Sequence, residues 1–230
     1  DILISQLDNR YLRTLQRYQR VVYQRNHLLK LIREGRSRVE ELAFWDDELV
    51  TEAKYVMAER MSTVRALSEL AGSAHRELAK NDERLELVYR PSISLGSDPS
   101  PDALAEQLRR AMESARRREV AQGVTVGGPH RDDVHLLIDG MDAAAYASRG
   151  QSRTAVLAMK LGEAQHLRER RQQEPILLLD DVLSELDVAR RAHVLDGAGR
   201  YQQCFITTTD LELVEERLQA RMHRHTVRRG

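Results

Sequence analysis

Apolar side chains recur with helical spacing through most of the N-terminal half of the chain. Residues 8–34 place them on one helical face, with Asp8 as N-cap and Gly35 as stop signal. A second stretch, residues 38–80, contains no proline and keeps the same spacing, so it predicts one long helix that packs on the first as an antiparallel hairpin. A third helix is predicted over residues 102–121. Trp45 is the only tryptophan, and we expect it to anchor this helical packing.

Short apolar runs between turn residues predict β-strands, most of them in the second half of the chain. The predicted strands are 85–89, 124–126, 134–138, 176–179 and 204–206. The first alternates apolar and polar residues, as a half-buried strand does, whereas the last two are continuous apolar runs, typical of strands buried on both faces of a parallel sheet. Asp139-Gly140 is a hairpin signal, and helices are predicted over residues 148–170 and 211–221. Strands that alternate with helices favour an α/β fold.

Changes in this pattern predict three segments. Residues 1–81 form a helical arm, residues 82–121 a return strand, a linker and a basic helix, and residues 122–230 an α/β lobe. The clearest linker is Gly-Ser-Asp-Pro-Ser-Pro at 96–101. The last residues, 223–230, are basic and are expected to fray.

Charge is balanced along the chain, with 36 Lys and Arg against 36 Asp and Glu in 230 residues, so net charge alone predicts no polyanionic partner. Only local clusters of basic residues could indicate such a partner. The densest lies on the third predicted helix, and it consists of Arg109, Arg110, Arg116, Arg117 and Arg118. An Arg row also follows the first helix at Arg10, Arg13, Arg17 and Arg20. Each cluster is either a solvated helix face or a contact to nucleic-acid or nucleotide phosphates.

A single cysteine, Cys204, excludes an internal disulfide framework and suits a reducing, cytoplasmic compartment. No apolar run approaches the roughly 20 residues of a membrane span. The chain begins at Asp1, inside sequence that already has helical character, and shows no signal peptide. We therefore expect a fragment of a longer protein.

The most informative stretch for chemistry is residues 175–187. Four large apolar residues in a row, Ile176 to Leu179, end abruptly in Asp180 and Asp181. Ligands of open α/β sheets bind beyond the carboxyl ends of the strands, so two acids at this point suit a Walker-B strand in which Asp180 holds Mg²⁺ and Asp181 positions a water. The alternative is a core strand that ends in two solvated acids.

Two further motifs have both a plain and a functional interpretation. Ser148 and Gly150 open a predicted helix, where free N–H groups and the helix dipole favour an anion such as a γ-phosphate, although an ordinary serine N-cap has the same sequence. His130, Asp132 and Asp133 could contribute to a metal site, but three donors in one turn without a further ligand are a weak signal.

Taken in order, these motifs resemble the second lobe of an ABC-type ATPase. The resemblance makes Ser148-Arg149-Gly150-Gln151 the signature motif, which reaches the nucleotide of the other subunit. It makes Asp180 the Walker-B metal ligand, Asp181 the acid that orients water, and residues 184–187, ending in Asp187, the D-loop. Thr209 takes the switch position. The implied fold class is the C-terminal lobe of an ABC-type P-loop ATPase, of α/β class, with a long helical arm.

A closer resemblance is to the RecF family of bacterial repair proteins. It rests on segments spread over nearly the whole chain: Gln24 to Asn26, Gly128 to Asp133, Ser148 to Thr154, Leu177 to Asp187 and Ile206 to Asp210. The resemblance implies ATP and Mg²⁺ as cofactors, an ATP-dependent homodimer, and binding to DNA where single and double strands meet. It also implies that RecO and RecR act with the protein to load RecA, and that the helical arm is the family's inserted second domain.

Three departures from the pattern modify these expectations. No Gly-x-x-x-x-Gly-Lys-Ser/Thr motif occurs in the chain, so we expect no ATP hydrolysis by the chain alone. Asp181 stands where many ABC ATPases have Glu, and its side chain is one methylene shorter, so turnover should be slow. Thr209 replaces a histidine and cannot carry a proton charge. A different class of function also fits: a helical module that docks a protein partner beside a purely structural ATPase remnant.

Overall fold

The computed structural model of the chain describes residues 1–79, 83–96, 100–214, 219 and 222–227. These residues form a mixed α/β structure that is mostly helical. The chain divides into two compact units. The first comprises Asp1–Glu69 and Glu86–Tyr146, and the second Leu70–Leu85 and Ala147–Gly230.

Helices dominate the first unit. In chain order the helices and strands that begin or lie in it are α1 (Ile2–Leu7), α2 (Asn9–Arg33), α3 (Leu42–Ala79), β1 (Leu85–Arg90), α4 (Pro101–Gln122), β2 (Asp133–Ile138), β3 (Met141–Asp142) and α5 (Ala143–Tyr146). The three long helices confirm the predicted ones to within a few residues. Asp8 caps α2 by accepting a hydrogen bond from the Arg10 backbone N–H at 2.7 Å, and α4 ends at Gly123 in the left-handed conformation.

The core of the first unit lies between α2, α3 and α4. Near one end of α2, Tyr11 and Leu15 pack with Val56, and near its other end Leu29 and Ile32 pack with Leu42. This order shows that α2 and α3 run antiparallel, as predicted. The larger cluster between them also takes in four side chains of α4: Leu104, Ala105, Leu108 and Met112. Trp45 packs against this same cluster, which confirms its anchoring role.

A fully buried arginine ties the three helices together. Arg25 on α2 is 0% exposed and donates to Asp46 of α3 at 2.8 Å and to Glu119 of α4 at 2.6 Å. A third bond reaches the Thr125 hydroxyl at 2.7 Å. Burial acts to lower the pKa of Arg25, but the bonds and charges of Glu119 and Asp46 outweigh it and raise that pKa. The guanidinium therefore stays charged, with its donors satisfied.

The strand predicted over residues 124–126 is absent, and this expectation was wrong. The backbone N–H of Thr125 donates to the Asn26 side chain at 2.7 Å, and that of Val126 to Glu119 at 3.1 Å. These N–H groups are satisfied by helix side chains and have no need of a neighbouring strand. The segment is a polar connection inside the Arg25 network.

The turn that follows is held by its own side chains. Gly128 has φ +114°, and a Cβ there would come within 2.8 Å of the Tyr18 hydroxyl, so only glycine fits. Asp132 accepts hydrogen bonds from the Tyr89 hydroxyl and from the Ser92 N–H. The carbonyl of Pro129 accepts from Arg60 at 2.5 Å. These bonds give the segment a structural role, and no cluster of three or more metal-binding side chains occurs in the part of the chain that is described.

His130 is held as a neutral ring. Its Nε2 lies 3.2 Å from the Thr125 carbonyl, which can only accept, so Nε2 carries the proton. Nδ1 then accepts from the Tyr18 hydroxyl at 2.6 Å. Part of the residue remains exposed, but desolvation of the ring, the main cause, lowers the pKa of His130 below its ordinary value.

The sheet of the first unit has the strand order β1-β2-β3. Strands β2 and β3 pair antiparallel, with Ile138 opposite Met141. Asp139 and Gly140 both have positive φ, as a two-residue type I′ hairpin turn requires. The predicted hairpin is therefore confirmed.

The second unit contains the last ten residues of α3 together with α6 (Arg149–Arg171), β4 (Leu177–Asp180), α7 (Val188–Ala198) and β5 (Cys204–Thr207). Strands β4 and β5 pair in parallel, as predicted. Their predicted burial on both faces was wrong: Leu177 and Leu179 are buried, but Leu178 is 70% and Phe205 60% exposed. The sheet is covered on one face only in the described part of the chain.

Three predicted features cannot be followed completely. Of the helix expected over 211–221, Leu211–Leu213 form a 3₁₀ turn, and residues 215–218 and 220–221 lie outside the described residues. Residues 97–99 of the linker and 228–230 of the tail also lie outside them. Within the residues that are described, no helix combines the length and the apolarity needed to cross a bilayer.

Replacing Arg25 by Met should destabilise the first unit by about 3–5 kcal/mol, because it leaves the buried carboxylate of Glu119 without its cation and leaves half-buried Asp46 with Arg116 alone. Arg13→Met, on the exposed side of the same helix, is the matched control and should cost less than about 0.5 kcal/mol. Trp45 fluorescence during urea unfolding reports on this unit alone. Equal midpoints for the two variants would show that the Arg25 network contributes nothing.

The first unit should also lose stability as the pH falls below about 6.5, the ordinary histidine value. The pKa of His130 is lower in the folded chain than in the unfolded chain. Below pH 6.5 the unfolded chain therefore binds a proton more readily than the folded chain, and this favours unfolding. The loss of stability levels off once the pH is below the folded pKa. The variant His130→Asn has no group at this position that titrates between pH 7.5 and 5.5. Its free energy of unfolding, measured by Trp45 fluorescence, should therefore fall less over this range than that of the unaltered chain. Parallel pH profiles for the two proteins would contradict the assignment.

Candidate functional site

The two acids that follow β4 lie at the carboxyl end of the parallel pair. Asp180 stands opposite Thr207 in the β4–β5 register. The Thr207 hydroxyl donates to Asp180 Oδ1 and accepts from the backbone N–H of Asp181 at 3.0 Å. One hydroxyl thus links both acidic residues, and both remain exposed.

Asp181 has an unusual backbone conformation. Its φ is +50°, in the left-handed region that residues with a Cβ rarely adopt. The N–H of Asp181 is also 3.2 Å from the Thr207 carbonyl, and its carbonyl accepts from the Ser184 hydroxyl at 2.8 Å. These bonds hold the strained residue in place, a feature that clusters at functional sites.

The loop after the acids returns to a helix through Asp187. The loop contains a 3₁₀ turn over Val182–Glu185, and Asp187 then caps α7 by accepting from the Arg190 backbone N–H at 2.9 Å. The other carboxylate oxygen of Asp187 accepts from the Arg190 guanidinium at 2.9 Å. Asp187 is therefore a rigid element at the end of this loop.

Helix α6 begins with a capping box. The Ser148 hydroxyl accepts from the Gln151 N–H at 3.2 Å, and the Gln151 side chain accepts from the Ser148 N–H at 2.9 Å. The first four N–H groups of a helix have no partner within it, so those of Arg149 and Gly150 remain for a ligand. Ser148, Arg149 and Gly150 are all exposed, which leaves this positive helix end open to an anion.

Comparisons with known proteins bear directly on this arrangement. No protein-family model matches the chain. The DNA replication and repair protein RecF of Chloroflexus aurantiacus is 43% identical over 236 residues, covering 100% of this chain and 60% of that protein. Its counterpart in Chloroflexus aggregans is 45% identical over 216 residues, covering 92% and 55%. The chain is a homologue of RecF.

Solved structures agree with this homology to RecF. The structure of the recombination mediator protein RecF-ATPrS in the RecFOR pathway has a TM-score of 0.83 and 32% identity, covering 94% of this chain and 57% of that one. The RecF-ATP structure of the same pathway has a TM-score of 0.81 and 30% identity. The chain thus spans a little over half the length of the RecF proteins that it matches.

The donor set beyond β4 suits a hard cation. Two carboxylates, Asp180 and Asp181, and the hydroxyls of Thr207 and Ser184 offer only oxygen. Mg²⁺ is usually bound by one or two carboxylates, with water and substrate phosphates as the other ligands. The residues present therefore fit Mg²⁺ bound together with a nucleotide.

Thr209 lies in the exposed turn after β5. On either side of it the Thr208 hydroxyl donates to the Asp210 carbonyl at 2.9 Å, and Asp210 accepts from the Glu212 N–H at 2.9 Å. Thr209 itself is exposed. The hydrogen bonds of Thr208 and Asp210 therefore hold the turn that contains Thr209, two residues after Thr207.

The arginine cluster lies on α4, in the first unit, and its members differ in availability. Arg116 is bound to Asp46 at 2.5 Å and belongs to the Arg25 network. Arg109 lies 3.6 Å from Asp47, and Arg110 pairs with Glu106 of its own helix at 2.8 Å. Arg117 and Arg118 are exposed and have no ion-pair partner among the residues that the structure describes. They are the members best placed to meet an external anion.

The predicted site residues thus fall into three groups: the acids with their loop, the α6 turn, and the α4 arginines. Sequence reasoning missed two participants. Thr207 could have been found by aligning the parallel strands, since it ends β5 and starts the Thr-Thr-Thr-Asp run. Glu83, which accepts from the Gln151 side chain at 2.9 Å, is 68 residues away in the chain and carries no sequence signal.

Proposed function

We propose that this RecF homologue is part of an ATP-dependent DNA-binding protein of replication and repair. In this proposal residues 122–230 form the C-terminal lobe of an ABC-type ATPase, residues 1–81 the inserted helical arm, and residues 82–121 the return strand, linker and basic helix. The observation that carries the proposal is the hydrogen-bonded group Asp180–Thr207–Asp181 at the carboxyl end of a parallel strand pair.

The chemistry assigned to that group is positioning and charge neutralisation. Asp180 would hold Mg²⁺ directly or through water, and the ion would neutralise charge on the nucleotide phosphates. Asp181, held by Thr207 and Ser184, would orient the attacking water with its exposed carboxylate. Its side chain is shorter than a glutamate, so the ATPase of the full-length protein should be slow.

The α6 turn would act on a different nucleotide. Its open N–H groups at Arg149 and Gly150 suit the terminal phosphate of ATP bound to the partner subunit, with Ser148 and Gln151 keeping the turn in shape. Asp187 and Thr209 would complete the nucleotide-facing edge as D-loop and switch residues. ATP binding would then close a homodimer, and hydrolysis would reopen it.

The proposed partners are suggested by the two solved structures, each described as the recombination mediator protein RecF in the RecFOR pathway. We propose that this protein likewise acts in the cytoplasm with RecO and RecR, binding single- and double-stranded DNA at gaps and promoting RecA loading. The exposed arginines of α4 support the DNA contact, foremost Arg117 and Arg118.

A second candidate function is a helical docking module for a protein partner, with the ATPase elements only structural. It is favoured by three apolar or aromatic side chains that α2, α3 and the turn between them leave exposed: Tyr23 at 72%, Val39 at 41% and Phe44 at 63%. DNA binding that weakens steeply with salt supports the first function. No DNA binding by the full-length protein, with or without ATP, supports docking.

Asp181→Asn in the full-length gene product should lower kcat for ATP hydrolysis by about 10²-fold, because the amide cannot take a proton from water. Binding of ATP should change less than about threefold, since Asp180 is intact. The measurement is steady-state phosphate release with gapped DNA present. Glu163→Gln, a half-buried carboxylate of α6 that pairs with Lys160, serves as control. Equal turnover by Asp181→Asn and the unaltered protein would remove Asp181 from the reaction.

The double replacement Arg117→Ala with Arg118→Ala should weaken DNA binding about tenfold near 0.1 M salt and reduce the slope of log K against log salt by about 2. Arg170→Ala with Arg171→Ala, another adjacent exposed pair, is the matched control. Fluorescence anisotropy over a salt series measures both quantities. An unchanged slope would place the DNA contact elsewhere.

A further inference from the structure

The amide of Gln151 is held at both ends. Its Oε1 accepts from the Ser148 N–H at 2.9 Å, within the capping box of α6. Its Nε2 donates to Glu83 Oε1 at 2.9 Å. Because a carboxylate can only accept and a backbone N–H can only donate, Glu83 and the Ser148 N–H select the same orientation of the amide. A residue outside the motif thus reinforces the orientation of one inside it.

Glu83 is itself placed by the end of α3. Its second oxygen, Oε2, lies 3.8 Å from Nε2 of His75, which is 0% exposed. The side chain of Glu83 therefore joins a buried imidazole of α3 to the amide at the start of α6. Glu83 follows Ala79, the last residue of α3, by four positions in the chain.

Helix α6 packs against the same part of α3. A Cβ on Gly162 would come within 2.9 Å of the Ala71 backbone nitrogen, so the two helices meet at backbone contact. Farther along α3, Glu77 Oε2 lies 3.1 Å from Nε2 of His193 on α7. Both helices that begin at a nucleotide-facing motif are thus anchored on the last ten residues of α3.

We propose that Glu83 is a positioning residue for the Ser148–Gln151 turn. It holds the Gln151 amide in the orientation that closes the capping box and so keeps the N–H groups of Arg149 and Gly150 turned toward an anionic ligand. This inference rests on the proposed function, because that ligand is the terminal phosphate of ATP on the partner subunit. Glu83 touches no reacting atom and acts through Gln151.

The test measures nucleotide-dependent dimerisation of the full-length gene product. Sedimentation velocity monitors the dimer fraction during a titration with a slowly hydrolysed ATP analogue and Mg²⁺. Glu83→Ala removes the acceptor for Gln151, and we expect it to raise the half-maximal nucleotide concentration five- to tenfold. Glu83→Gln keeps an acceptor oxygen and should stay within twofold of the unaltered protein. Glu163→Ala, a carboxylate on α6 paired with Lys160, is the matched control and should have no effect.

Two further measurements separate positioning from a general loss of structure. Binding of a fluorescent ATP analogue to the monomer, at protein concentrations below dimerisation, should be unchanged in Glu83→Ala. In a double-mutant cycle, Glu83→Ala combined with Gln151→Ala should dimerise no worse than Gln151→Ala alone, because Glu83 acts only through that amide.

The outcomes are distinct. The half-maximal nucleotide concentration of Glu83→Ala could stay within twofold of that of the unaltered protein, while Gln151→Ala raises it. That result would overturn the inference and leave the proposed function intact. Equal impairment by Glu83→Ala and Glu83→Gln would also overturn it, since charge near His75 and not the amide contact would then matter. If the unaltered protein does not dimerise with nucleotide, the proposed function fails and the inference falls with it.

Discussion

The parallel pairing of β4 with β5 is the constraint on which the candidate site depends. It sets Asp180 opposite Thr207, so that one hydroxyl can bind the first acid and the backbone of the second. The same register brings the carbonyl and hydroxyl of Thr207 to the backbone N–H of Asp181, whose φ is +50°. The pairing therefore fixes two carboxylates at the strand end, where an α/β sheet binds its ligands.

A different kind of constraint organises the first unit. The charge of Arg25 is completely buried, and it is tolerated because Asp46, Glu119 and Thr125 all accept from it. Breaking such a group is costly, whereas an apolar core of the same volume can be equally stable. Here it links α2, α3 and α4 through one side chain and draws residues 124–126 in among them.

Sequence reasoning worked where a signal is local. The spacing of apolar residues located α2, α3 and α4, and Ser148 was found as the start of α6. It failed where the deciding partner is distant in the chain. Thr125 looked like part of a strand because nothing nearby shows that Asn26, 99 residues away, takes its N–H. Burial of β4 and β5 was overestimated because the covering of a sheet face depends on elements that an apolar run does not reveal. Within the site, the acids and the helix start could be found from sequence, whereas Thr207 and Glu83 required the register and the packing.

The central claim is that Asp180 is the metal-binding acid of a nucleotide site. The most direct test is Mn²⁺ binding to the full-length gene product in the presence of ATP, measured by electron paramagnetic resonance. Asp180→Asn still accepts from Thr207 but loses the charge, and it should weaken Mn²⁺ binding by about tenfold or more, whereas Glu163→Gln on α6 should not. Equal Mn²⁺ affinity for Asp180→Asn and the unaltered protein would contradict the claim.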